Sequence, residues 1–132
     1  MKPTLDHIGI AVRSLEAAKI YEAMGLTIDH VETVTTQSVK TAFLSVGDSN
    51  LELLEPTGPE SPIAKFIEKR GEGIHHVGYG VADIREALAT VAGTGIRLVD
   101  ERPRHGSLGA SIAFLHPGDL GGVLTELVQP LS

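Results

Sequence analysis

Apolar and polar positions alternate with a period of two over residues 5–12, so that His7, Gly9 and Ala11 fall on one face and Ile8, Ile10 and Val12 on the other. The pattern predicts a strand. Ser14 then supplies a helix N-cap, Leu15, Ala18 and Met24 part of an apolar helical face, and Gly25 a stop. Strand patterns follow over residues 26–34, 39–46 and 50–55, the last two joined by a turn at Gly47, Asp48 and Ser49. That succession is one βαβββ module, residues 4–56. Ser61 with Pro62 behind it begins a connector helix over residues 61–71, which Gly71 ends.

The same order then repeats over residues 74–129. Residues 74–81 alternate as a strand, and Asp83, with Glu86 three positions on, caps a helix that Gly93 and Gly95 close. Residues 96–99 are expected to form a strand. A polar loop over 100–109 precedes strands at 110–115 and 123–128. Local wording repeats as well: LDHIGIAV returns as IHHVGYGV, and NLELLEP as VLTELVQP. His7 therefore matches His76, and Glu52 matches Glu126. Neither half carries enough sheet to cover its own apolar face, so the two are expected to pair within a single domain of residues 1–132. The fold expected is α+β, paired βαβββ modules whose curved mixed sheet surrounds a metal-binding cup.

The chemistry sits in the repeated polar positions. His76 shares its face with Gly78 and Gly80, as His7 does with Gly9, which predicts a hollow beside each imidazole. Glu52 lies between Leu51 and Leu53, and Glu126 between Thr125 and Leu127, where a carboxylate is costly unless paired or metal-bound. Two imidazoles and two carboxylates converging from duplicated modules make a divalent-metal site. The chain has no cysteine, so any metal is held by nitrogen and oxygen. A net charge of -6 argues against a nucleic-acid surface. No apolar run is long enough for a membrane span, and the opening MKPTLDH has no signal or transit character, so the expected location is cytoplasmic.

These residues resemble the vicinal oxygen chelate superfamily and, within it, the methylmalonyl-CoA epimerase family. The narrower resemblance is carried by DHIGIAV, by SPIAKFIEKRGEGIHHV in the connector, by FLHP and by GGVLTELVQ, which together span nearly the whole chain. It implies an isomerase of propionate metabolism that interconverts the (2R) and (2S) epimers of methylmalonyl-CoA. It also implies one divalent metal ion per chain, Co2+ first with Zn2+, Mn2+ and Ni2+ as alternatives, and a homodimer. The implied ligands are His7, Glu52, His76 and Glu126, with Glu126 also the acid/base. Some members have glutamine at the position of Glu52, and some have a further glutamate where this chain has Thr41.

Epimerisation next to a thioester removes a proton from one face of C2 and returns one to the other, through an enolate that the metal stabilises. The pseudosymmetry makes Glu52 the expected second base, opposite Glu126. The coenzyme A portion is expected outside the cup, with Arg104, Gly106, Ser107 and Gly109 as anion contacts. A glyoxalase I-like lactoylglutathione lyase would use the same four ligands. A ring-cleaving dioxygenase would leave Glu52 unexplained, and a metal-free small-molecule binding module would leave all four unexplained.

Overall fold

Eleven helices and strands follow one another in the computed structural model, which describes residues 2–131. They are β1 (Thr4–Ala11), α1 (Ala18–Ala23), β2 (Ile28–Val34), β3 (Val39–Val46), β4 (Ser49–Pro56), α2 (Pro62–Arg70), β5 (Gly73–Gly80), α3 (Ile84–Gly93), β6 (Arg104–His105), β7 (Ser111–Leu115) and β8 (Thr125–Gln129). Short 3-10 turns punctuate this order. By contacts the chain divides into two compact units. One is His7–His75; the other takes the residues up to Asp6 together with His76 onward.

In the first unit the strand order is β2-β3-β4-β1. β1 and β4 run parallel, and β2, β3 and β4 are antiparallel neighbours. One face of this sheet packs Ile10, Val12, Ala42, Leu44, Leu51 and Leu53 under Leu15, Ala18 and Tyr21. Leu44 and Leu53 are completely buried there. The expected Met24 contribution is absent, for that side chain is 63% exposed and Tyr21 takes its place. On the opposite face Ala11, Val34, Val39 and Leu54 pack against Ile63 and Ile67 of α2. That helix begins as the sequence predicts: the buried Ser61 side chain accepts the Ile63 N–H at 3.2 Å, with Pro62 at the first helical position.

The second unit repeats the order as β5-β8-β7-β6, with β5 and β8 parallel. Ile84 and Leu88 of α3 cover Ala113, Leu115 and Leu127. The Asp83 carboxylate caps α3 by accepting from the N–H groups of Arg85 and Glu86, both at 3.1 Å.

The strand expected at 96–99 is the one element that does not form. Leu98 makes only an isolated bridge to Leu115. Val99 and Asp100 both donate their N–H to the Phe114 carbonyl, and the Asp100 carboxylate accepts the Phe114 N–H at 2.9 Å. A side chain thus occupies the place of a ladder carbonyl. Pairing resumes only after Pro103, which has no N–H to offer a ladder, as the two-residue β6.

Candidate active site

In the first unit the parallel register places Gly9 beside Glu52 and His7 beside Asn50. Across the other edge of β4, Glu52 faces Phe43. Leu51 and Leu53 anchor the opposite face in the α1 core, so the strand's alternation leaves the Glu52 carboxylate no other direction. The His7 Nδ1 lies 3.3 Å from Glu52 Oε2, with the histidine buried and the glutamate nearly so. Farther along β1 the same face closes under α2 at Ala11. The hollow predicted along this face of β1 is therefore closed at Ala11.

In the second unit Gly78 lies beside Glu126, and Phe114 faces it from β7. His76 Nε2 is 3.9 Å from Glu126 Oε1, and both side chains are buried. The Phe114 ring stands edge-on to the His76 ring at 5.6 Å. Gly80, predicted to border a hollow, instead accommodates close approach: a Cβ there would lie 2.9 Å from Thr4 Oγ1.

Each unit thus holds an imidazole and a carboxylate close together on parallel-paired strands. Two donors each about 2.1 Å from one ion lie about 3.0–3.4 Å apart. The His7–Glu52 separation meets that geometry as it stands, and the His76–Glu126 separation is within a small side-chain rotation of it. Nitrogen and carboxylate oxygen are donors suited to a divalent ion of the first transition row.

The neighbouring His75 points the other way, as the alternation predicts, and meets the Phe66 ring edge-on at 5.0 Å. Burial pushes its pKa from 6.5 down to about 4, so it is neutral at pH 7.

Arg104 sits with its guanidinium 5.4 Å above the Phe114 ring and its Nε 3.4 Å from Asp100 Oδ2. Its side chain is half-exposed. The loop after it is shaped by its own backbone. Gly106 donates its N–H to the Ala110 carbonyl, and a Cβ there would strike Ile112 at 2.8 Å. Ser107 accepts the Ala110 N–H, and Gly109 turns the chain at φ +73°. Close packing at Gly106 and the positive φ of Gly109 account for the glycines at these two positions.

Sequence reading missed two partners of the site. Phe43 and Phe114 flank the two glutamates from equivalent strands, and their equivalence was visible in the repeated Phe-Leu pairs at 43–44 and 114–115. His30 on β2 keeps a half-exposed side chain opposite Phe43, with the two rings stacked at 5.8 Å.

Residues 6–114 match the family model described as the glyoxalase/bleomycin resistance protein/dioxygenase superfamily. The chain is 43% identical over 128 residues to the uncharacterized protein YqjC of Bacillus subtilis (strain 168), covering 96% of this chain and 91% of that protein. It is 37% identical over 129 residues to the ethylmalonyl-CoA/methylmalonyl-CoA epimerase of Cereibacter sphaeroides, covering 95% and 96%. Among solved structures, a methylmalonyl-CoA epimerase in complex with methylmalonyl-CoA and NH4+ superposes with a TM-score of 0.93 at 41% identity, covering 100% of this chain and 97% of that one.

Proposed function

Because the chain belongs to the glyoxalase/bleomycin resistance protein/dioxygenase superfamily, we propose that it is an epimerase acting at C2 of methylmalonyl-CoA. The observation that carries the reading is the histidine–glutamate pair present in each unit, set on strands whose sequences repeat one another. A metal-free binding module would leave these four side chains unexplained, whereas chemistry at a carbon flanked by two carbonyl groups uses them.

In this reading His7, Glu52, His76 and Glu126 would hold one divalent cation, with Co2+ the first expectation and Zn2+, Mn2+ or Ni2+ suited to the same donors. When bound, the ion supplies positive charge against the negative charge that develops on the thioester oxygen. The chain's own groups do the rest. Glu126 takes or returns the C2 proton on one face, with Phe114 directly beside it across the strand pair. Glu52 is its counterpart in the first unit by the sequence repeat. Arg104 offers a cationic contact to a phosphate or carboxylate of the substrate, at the edge of the Ser107–Gly109 turn. A homodimer and a cytoplasmic location belong to the same reading. No helix among the described residues is long and apolar enough to cross a membrane.

The test is direct. The protein is stripped with chelator, reloaded with a defined cation and incubated in D2O with each epimer of methylmalonyl-CoA, while NMR follows deuterium at C2. Cation-dependent exchange with inversion is the expected result. Turnover of a methylglyoxal–glutathione hemithioacetal with no exchange at C2 would replace this reading with the lyase chemistry.

A further inference from the structure

Glu52 as a base would have to release the cation while it takes a proton. The first unit offers a carboxylate without that duty. Following the register outward from β1, Gly9, Glu52, Phe43 and His30 form one row of side chains, and Ala11, Leu54, Thr41 and Glu32 form the next on the same face. Apart from Glu52, the titratable members of these two rows are His30 and Glu32. Asp29, displaced by the irregularity between Ile28 and His30, is hydrogen-bonded to Ser45 instead.

His30 and Glu32 are joined to each other, with Nε2 3.3 Å from Oε1. The imidazole is held against Phe43, itself the neighbour of Glu52, with ring planes 30° apart. Glu32 is the less exposed of the pair, at 28% against 47% for His30. Glu32 is thus the more covered member of the pair. β2 lies two strands from β4, about 9.6 Å away at the backbone. Thr41, directly beside Glu32, is a shorter side chain than Phe43 and is covered almost completely by its neighbours.

We propose that Glu32, oriented by His30, is the acid/base group for the face of C2 opposite Glu126, leaving Glu52 to serve as ligand alone. This rests on the epimerase reading above. In one direction a Glu32 oxygen accepts the C2 proton and becomes a carboxylic acid, while the C–H electron pair moves into the enolate. Glu126 then delivers a proton to the other face, and the pair re-forms the C–H bond there. Glu32 returns its proton to water through His30, Glu126 regains one, and the ledger of protons and electrons closes without any other reactant. In the reverse direction the two carboxyl groups exchange roles.

The experiment compares Glu32→Gln, Glu32→Asp, His30→Gln and Glu52→Gln in the cobalt-loaded protein, reading cation content, melting temperature and deuterium uptake from each epimer separately. For Glu32→Gln the expected result is unchanged cobalt stoichiometry and melting temperature, with epimerisation down about 10²- to 10⁴-fold. Exchange should be lost from one epimer and retained from the other. Glu32→Asp should restore part of the rate, and His30→Gln should lose less than Glu32→Gln. Epimerisation by Glu32→Gln within threefold of the parent overturns the assignment. Equal loss of exchange from both epimers overturns it too, as does a cobalt-loaded Glu52→Gln protein that loses exchange from only one. A parent protein that exchanges neither epimer refutes the epimerase reading itself, a result none of the variant outcomes reproduces.

Discussion

Glu126→Gln isolates the charge of one proposed ligand. The glutamate side chain is only 8% exposed, and the amide fills the same volume, so the change opens no cavity and the cation-free protein should melt within about 3 °C of the parent. Cation binding should separate the two proteins. At a free concentration of 100 times Kd, a ligand that binds only the folded state adds about 2.7 kcal/mol. Unfolding entropy near 60 °C is about 2.1 cal/mol/K per residue, which for 132 residues is about 0.28 kcal/mol/K. The parent should therefore gain about 10 °C. Disturbing even an outer partner of a metal ligand weakens affinity about 10- to 100-fold, and losing a ligand charge should cost at least the upper figure. At the same cobalt concentration Glu126→Gln then sits near its own Kd and gains about 0.4 kcal/mol, or 1–2 °C. Differential scanning calorimetry with cobalt, zinc and manganese in turn measures this. Equal gains in the two proteins, or a parent that gains under about 2 °C with every ion, would refute the ligand assignment.

Leu53→Ala should destabilise the fold by about 3–5 kcal/mol in urea unfolding, because its side chain is wholly buried among Val12, Ala18, Ala42 and Leu44. Since that side chain faces away from Glu52, the folded fraction should retain its cation affinity. Arg104→Leu should raise KM for the coenzyme A ester about tenfold with kcat little changed, the loss of one charge-assisted contact. A KM that does not move would remove Arg104 from substrate binding. Asp119 provides a pH test: the side-chain hydrogen bond and then the backbone N–H of Arg97 hold its carboxyl below the usual 3.8. A lowered folded-state pKa favours the ionised, folded form, so this contribution is present above the unfolded value and is lost as pH falls through the folded one. In Arg97→Ala, NMR titration should find the Asp119 midpoint moved up toward 3.8; an unmoved midpoint would show that Arg97 is not the cause.

Much of this protein is local and could be read along the chain. Strand alternation over 39–46 and 50–55, the serine cap with its following proline at 61–62 and the aspartate cap at 83 all appear where the pattern puts them, because each depends on residues a few positions apart. Duplication made the histidine and glutamate in each copy visible as equivalent. Alternation also stated which face His7, Glu52, His76 and Glu126 take. It could not state what stands beside them, because the neighbour across a strand is set by register between segments far apart in sequence. Hence the stacking of the half-exposed His30 ring on Phe43 appears only once β2 is aligned on β3. Gly80 reads as open space until Thr4 is found against it. The strand expected at 96–99 has the right composition, yet it yields to a carboxylate, Asp100, that takes the Phe114 N–H in place of a ladder carbonyl. Apolar periodicity determines which way a side chain points, a property of the local backbone; tertiary packing decides what it meets, and the proposed chemistry depends on the second.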